Sequence, residues 1–132
     1  MGQAVNNQFR RRERLKSKRL IGLLFKHGKV TKLYPFRIIS LPVPENDRSA
    51  LSAHQVLFSV PKRNFRKAVH RNRIKRQMRE AYRVNKHRIT YKEQCSVPFL
   101  IAYIYIAKQA HPYSLIEEKI ITSLDRLVDS NL

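Results

Sequence analysis

Twelve Lys and Arg side chains fall between residues 62 and 88, against a single acid, Glu80. The chemistry open to such a set is the recognition of phosphate. An Arg guanidinium is a planar fork of donors that matches phosphate oxygens, and each phosphate neutralised releases counterions. Residues for catalysis are not gathered in the same way. The nine Asp and Glu are scattered through the chain, with Glu45 and Asp47 in a turn, whereas a two-metal site needs several clustered carboxylates. His27, His54, His70, His87 and His111 show no zinc-like spacing with Cys95. No catalytic or metal-ligating residue is assigned, and the candidate function is binding.

Placed on a helix at about 100° per residue, the basic stretch divides into two faces. Ile74, Met78, Ala81 and Tyr82 fall on one side and can pack on a sheet. Asn72, Lys75, Arg76, Arg79, Arg83 and Lys86 gather opposite, with Arg71 and Arg73 flanking. Like charges such as Lys75, Arg79 and Arg83, four residues apart, cost a few tenths of a kcal/mol per pair. Stability alone does not select them. A solvated helix face interleaves Glu with Lys, and this one does not.

The whole chain of 132 residues carries 28 Lys+Arg against 9 Asp+Glu, a formal net charge of +19. That charge opposes compaction by self-repulsion, which a polyanion relieves. A second cationic run, Arg10, Arg11, Arg12, Arg14, Lys16, Lys18 and Arg19, contains only Glu13. Near the C-terminus, Glu117, Glu118, Asp125 and Asp129 instead outnumber Lys119 and Arg126. An anionic membrane surface would want apolar residues exposed beside the basic ones, and here the apolar stripe is needed for the core. No membrane contact is expected, since the longest apolar stretch, 97–107, has a strand's length. A lone Cys95 permits no intrachain disulfide and no apolar run opens the chain, so a reducing cytoplasm is the expected compartment. With 42% hydrophobic residues, the chain is expected to fold as one domain.

Residues 1–13 are expected to be a flexible basic arm, and 14–132 the folded domain. Ser17 caps a helix over 18–27, which Gly28 stops on a left-handed residue. Leu20, Leu23, Leu24 and Phe25 give that helix an apolar side. Residues 36–43 and 54–60 read as strands, a third short strand follows Lys29, and 44–49 is turn chemistry. The basic helix runs over about 66–86 and the most apolar strand over 97–107. Ser114 and Glu117 form a capping box for a final helix in which Ile116, Ile120, Ile121, Leu124, Leu127 and Val128 repeat at helical spacing. Helix, strands, helix, strand, helix is an α+β sandwich with helices on a sheet.

Phe58-Ser-Val-Pro-Lys-Arg63, followed by Lys67-Ala-Val-His-Arg-Asn-Arg-Ile-Lys-Arg-Gln-Met-Arg-Glu-Ala-Tyr-Arg83, resembles the signature of the bacterial ribonuclease P protein family. Weaker similarity extends over nearly all of the chain after residue 13. The resemblance implies a single-domain α-β-β-β-α-β-α sandwich with a left-handed βαβ crossover, like domain 2 of ribosomal protein S5. It implies a partner, the ribonuclease P catalytic RNA, and a substrate, precursor tRNA, whose 5′ leader that RNA removes. Magnesium is held mainly by the RNA, and protein oligomerisation is not required. Carried over by position, the RNA-binding residues are Arg71, Asn72, Arg73, Lys75, Arg76 and Arg79, with Lys62 and Arg63 ahead of the helix. A leader cleft between the first helix and the sheet takes Phe25, Phe36, Ile21 and Ile39.

Some positions depart from the family pattern. Leu57 stands where a glycine is usual, and the turn over 61–67 is one residue longer and lacks glycine. Ile21 and Ile39 replace residues that are often aromatic, so leader contacts rest more on apolar packing and charge than on stacking. Without the resemblance, the residues point first to a ribosomal or other structural RNA-binding protein and second to a DNA-binding protein. A DNA reader brings a helix to base edges with symmetry for half-sites, and no dimerisation seam is visible.

Overall fold

The most apolar stretch of the chain becomes the middle of the molecule. The computed structural model describes residues 9–51 and 53–130; the first eight residues of the expected arm lie outside them. The elements are α1 (Lys18–His27), β1 (Lys29–Leu33), β2 (Phe36–Pro42), β3 (Gln55–Ser59), α2 (Ala68–Asn85), β4 (Phe99–Tyr105) and α3 (Tyr113–Ser130). This is the α-β-β-β-α-β-α order expected. One four-stranded sheet runs in the order β1-β2-β4-β3. β4 pairs antiparallel with β2 and parallel with β3, and the parallel pair requires a crossover, which α2 supplies. All of β4 is buried except the half-buried Ile104, the pattern of a strand covered on both faces.

Strand alternation sends side chains to two faces. Phe36, Ile38, Val56, Ile101, Tyr103 and Tyr105 join residues of α2 and α3 in the larger core. Ile39, Leu100 and Ala102 meet Leu15, Leu20 and Leu24 in a smaller core under α1. Ser17 caps α1 as expected, its Oγ accepting the Leu20 N–H at 3.2 Å. Gly28, however, has φ −70° and is not left-handed. Its reason is close approach: a Cβ there would run into the Leu24 carbonyl oxygen and stand 2.5 Å from Cγ2 of Ile39.

Two further expectations are corrected. α3 starts at Tyr113, and the amides of Leu115 and Ile116 bond to the Pro112 carbonyl. Proline's fixed φ suits that earlier start, so Ser114 lies within the first turn and does not cap. Glu117 instead accepts a hydrogen bond from Asn85 Nδ2 at 3.0 Å, tying α3 to the end of α2. Residues 9–13, expected in the flexible arm, are packed. The Phe9 ring lies 5.6 Å from Phe58 and 5.7 Å from Tyr82, and Arg11–Glu13 form a 3-10 turn. Leu15 donates to the Val56 carbonyl at 3.1 Å. The physical reason is that β3 is an edge of the sheet, and this segment covers it.

His54, 5% exposed, joins the start of β3 to the segments after α2. Its Nε2 donates to the Ile89 carbonyl at 2.5 Å, and its Nδ1 accepts the Phe99 N–H at 2.9 Å. Those partners assign the neutral tautomer. Burial lowers its pKa, so the folded state holds His54 neutral where the unfolded chain already protonates it. The unfolded state then binds more protons, and stability is predicted to fall as pH drops below about 6.5. Urea midpoints measured from about pH 7.5 to 5 check this, with the His54→Leu variant losing that part of the pH dependence. An undiminished dependence in the variant would assign the effect to another group.

Candidate nucleic-acid interface

α2 begins without a side-chain cap on its first amides, since Lys67 at the N-cap makes no such bond. The turn before it is ordered from the other direction. Arg71 folds back, and its Nη1 donates to the carbonyls of Phe65 and Arg66 at 2.8 Å each. Ile74, Met78, Ala81 and Tyr82 are buried, as the helical wheel requires. On the outer side Asn72, Arg73, Arg76 and Arg79 are exposed and Lys75 is half-buried; Lys62 and Arg63 are exposed in the preceding turn.

Two cations expected on this ridge are engaged within the protein. Arg83 Nε donates to Glu80 Oε1 at 3.1 Å, with a second bond from its Nη2 to Oε2. That pairing holds the Glu80 carboxyl below its ordinary pKa. Lys86 Nζ lies 3.0 Å and 3.1 Å from the two carboxylate oxygens of Glu13, which is 7% exposed. The displayed strip therefore runs from Asn72 to Arg79, and the acid of the helix is turned to Arg83. Such a strip offers donors to phosphate oxygens without a competing carboxylate.

A second surface lies across the sheet, beside α1. The register sets Lys32, Arg37, Ile104 and Ser59 in one row, next to a row of Val30, Ile39, Ala102 and Leu57. α1 covers Ile39 and Ala102 through Leu20 and Leu24, and Ile21 packs at the edge of that core. Lys32 and Arg37 stay exposed, while Ile104 and Ser59 are half-buried. Phe25, on the next turn of α1 from Ile21, is 49% exposed. Phe36 is not in this cleft. It is fully buried on the opposite face, 5.9 Å from both Tyr103 and Tyr105. Three residues along a strand change the face, so Phe36 and Ile39 cannot share one. Arg37 shares the face of Ile39; sequence reasoning passed over it, although the same alternation marks it.

Among the described residues, no group of three His, Cys, Asp or Glu is placed to hold a metal ion. Glu13, Asp47, Glu80 and Asp125 each sit in an ion pair, so these residues do not fit a magnesium centre of the two-metal kind. No helix among them is long and apolar enough to cross a membrane.

A family model described as Ribonuclease P matches residues 9–127. The chain belongs to the ribonuclease P protein family. The Ribonuclease P protein component of Porphyromonas gingivalis is 35% identical over 116 residues, which cover 87% of this chain and 82% of that protein. The same component of Chlorobium phaeobacteroides is 34% identical over 122 residues, covering 86% and 84%. The RNase P protein from Thermotoga maritima superposes with a TM-score of 0.67 at 25% identity, over 86% of this chain and 96% of that one. The Staphylococcus aureus RNase P protein, at 18% identity and a TM-score of 0.67 over 91% and 98%, shares the fold. The ribonuclease P family match includes Phe9, which packs against Phe58 and Tyr82. As a member, the chain is the protein subunit of ribonuclease P, which with its RNA removes the 5′ leader of precursor tRNA. The ribosomal and DNA-binding alternatives are set aside.

The two kinds of arginine on α2 should separate in stability measurements. Arg71→Ala is expected to cost about 1 kcal/mol, because two carbonyls lose their donor. Arg76→Ala and Arg79→Ala should leave stability unchanged or raise it slightly, since each removes a like-charge neighbour. Urea denaturation of the three variants checks this; equal losses in all would mean that the carbonyl contacts of Arg71 hold nothing.

Proposed function

We propose that the α2 strip is the face this subunit turns to the ribonuclease P RNA, and that the cleft beside α1 takes the 5′ leader. The observation that carries the first reading is the division of the cations. Arg19, Arg83, Lys86 and Arg88 are paired with carboxylates, while Arg73, Arg76 and Arg79 are displayed, with Lys75 and the neutral Asn72 beside them. Lys62 and Arg63 extend the surface towards β3. Arg71 acts on this face by holding the turn that sets the direction of the helix.

In the cleft, Lys32 and Arg37 supply charge for the leader's phosphates, Ile21 an apolar edge and Phe25 a ring for stacking. Ile39, 3% exposed beneath α1, supports the cleft from below and does not line it. The magnesium ions of the reaction belong to the RNA in this reading, and the subunit acts by position and charge. One copy per assembly suffices. The buried thiol of Cys95 suits a reducing cytoplasm.

The test is reconstitution of the purified chain with ribonuclease P RNA and a precursor tRNA, scoring 5′ cleavage at low magnesium. The combined Arg73→Ala, Arg76→Ala and Arg79→Ala variant should weaken assembly. It should also reduce the slope of log affinity against log salt by about 0.7–0.9 per lost phosphate contact. Unchanged slope and affinity would remove α2 from the interface. Phe25→Ala should weaken precursor tRNA over mature tRNA by about tenfold, the order of one lost stacking contact. Equal weakening of both would take Phe25 out of the leader path.

A further inference from the structure

At the N-terminal end of α2, on the α2–α3 side of the sheet and away from α1, lies a cavity of about 270 Å³. One wall is the half-buried ring of Phe65, backed by Tyr105 at 5.9 Å. His111 also lines it; its ring meets Tyr34 at 5.3 Å and 82°, with Nε2 3.1 Å from the Tyr34 hydroxyl. The same Tyr105 accepts the His111 backbone N–H at 3.1 Å. Both residues are thus braced, and the turn carrying Phe65 is locked by Arg71. Buried Ile74 and half-buried Gln77, which carries a carboxamide, complete the lining. No hydrogen bond to that amide forms among the described residues. Arg73 and His70 stand at the mouth, both exposed.

These features suit one kind of occupant. A cavity of about 150 Å³ accommodates benzene, so this volume admits a heteroaromatic ring system. Aromatic walls offer stacking, and a carboxamide offers a donor and an acceptor to a base edge. Arg73 belongs both to the mouth and to the displayed strip, so a backbone lying along Arg76 and Arg79 passes the opening. Tyr34, 53% exposed beside His111, continues the stacking surface outwards. We infer that this cavity receives an unstacked nucleobase of the ribonuclease P RNA, held by Phe65 and His111 and read at its edge by Gln77. The inference rests on the reading of the α2 strip as the RNA face.

Ala110 lies exposed on the rim, so Ala110→Trp fills the cavity without changing charge. With the full chain and ribonuclease P RNA, this variant should lose about tenfold or more in affinity while its salt slope stays that of the unaltered protein. One unpaired nucleotide, shielded from dimethyl sulfate in the unaltered complex, should become reactive. Gln77→Leu keeps the shape of the site and removes the edge contact; it should free the same nucleotide with a smaller loss of affinity. Thermal melts of both variants establish folding. Affinity and footprint unchanged in both variants would overturn the nucleobase site. The Arg76→Ala, Arg79→Ala pair separates the two levels: an unchanged salt slope there removes the strip reading and the cavity reading with it. A reduced slope beside silent Ala110→Trp and Gln77→Leu variants removes the cavity alone.

Discussion

Tyr82 projects from α2 into a cluster of rings, 6.0 Å from Phe58 and 5.7 Å from Phe9, while Phe58 stacks on Tyr103 at 5.7 Å. That cluster lets a helix with six Lys and Arg against one Glu keep its place. Each like-charge neighbour on the helix costs a few tenths of a kcal/mol. Burying one large apolar side chain contributes about 1.5–3 kcal/mol, and a well-placed ring pair adds about 0.5–1.5. Packing wins, so the outer face is free to carry charge that stability does not favour. The cluster also fixes the rotation of the helix: with Met78 and Tyr82 inward, Arg76 and Arg79 have only the outside.

The acids shape the cationic surface by removing cations from it. Arg19 meets Asp47, Arg88 meets Asp125, and Lys86 meets Glu13, each pair joining segments distant in the chain. The two exposed pairs, Arg19 with Asp47 and Arg88 with Asp125, contribute about 0–1 kcal/mol each. Lys86 and Glu13 are largely buried, and removing either would leave an uncompensated charge. All three pairs also act on the field. Glu13 ends the displayed strip at the C-terminal end of α2 and docks the N-terminal segment on the edge of β3. Where α2 and the turn before it carry no such partner, at Asn72, Arg76 and Arg79, the surface stays open to phosphate.

What the sequence made legible was periodic or local. The two faces of α2 followed from the helical wheel, and the cap of α1 from a hydroxyl before an apolar run. The errors came where tertiary contacts decide. Arg71 and Arg76 look alike in the sequence, yet the Phe65 and Arg66 carbonyls capture one and not the other. Lys86 is claimed by Glu13, 73 residues away, which no local pattern signals. Gly28 ended α1 as read, but the cause was the approach of Ile39 and not a left-handed backbone. Phe36 was a different failure: its parity against Ile39 already placed it on the other face.

The two proposed RNA surfaces lie on opposite sides of one sheet, and they meet at the turn between β3 and α2. Ser59 ends the row that runs from Lys32 through Arg37 and Ile104, and Lys62 and Arg63 follow within four residues. The turn then passes Phe65, held by Arg71, and enters the strip. A leader leaving the proposed cleft at Ser59 would arrive at the residues proposed to face the catalytic RNA. β4 links the two surfaces: buried along nearly its whole length, it pairs with β2 of the cleft on one side and with β3, which leads into the turn, on the other. Misplacement of a reacting group by about 1 Å can cost a hundredfold in rate. A subunit that supplies position and charge must be stiff along that line, and the line runs through the most deeply buried strand of the fold.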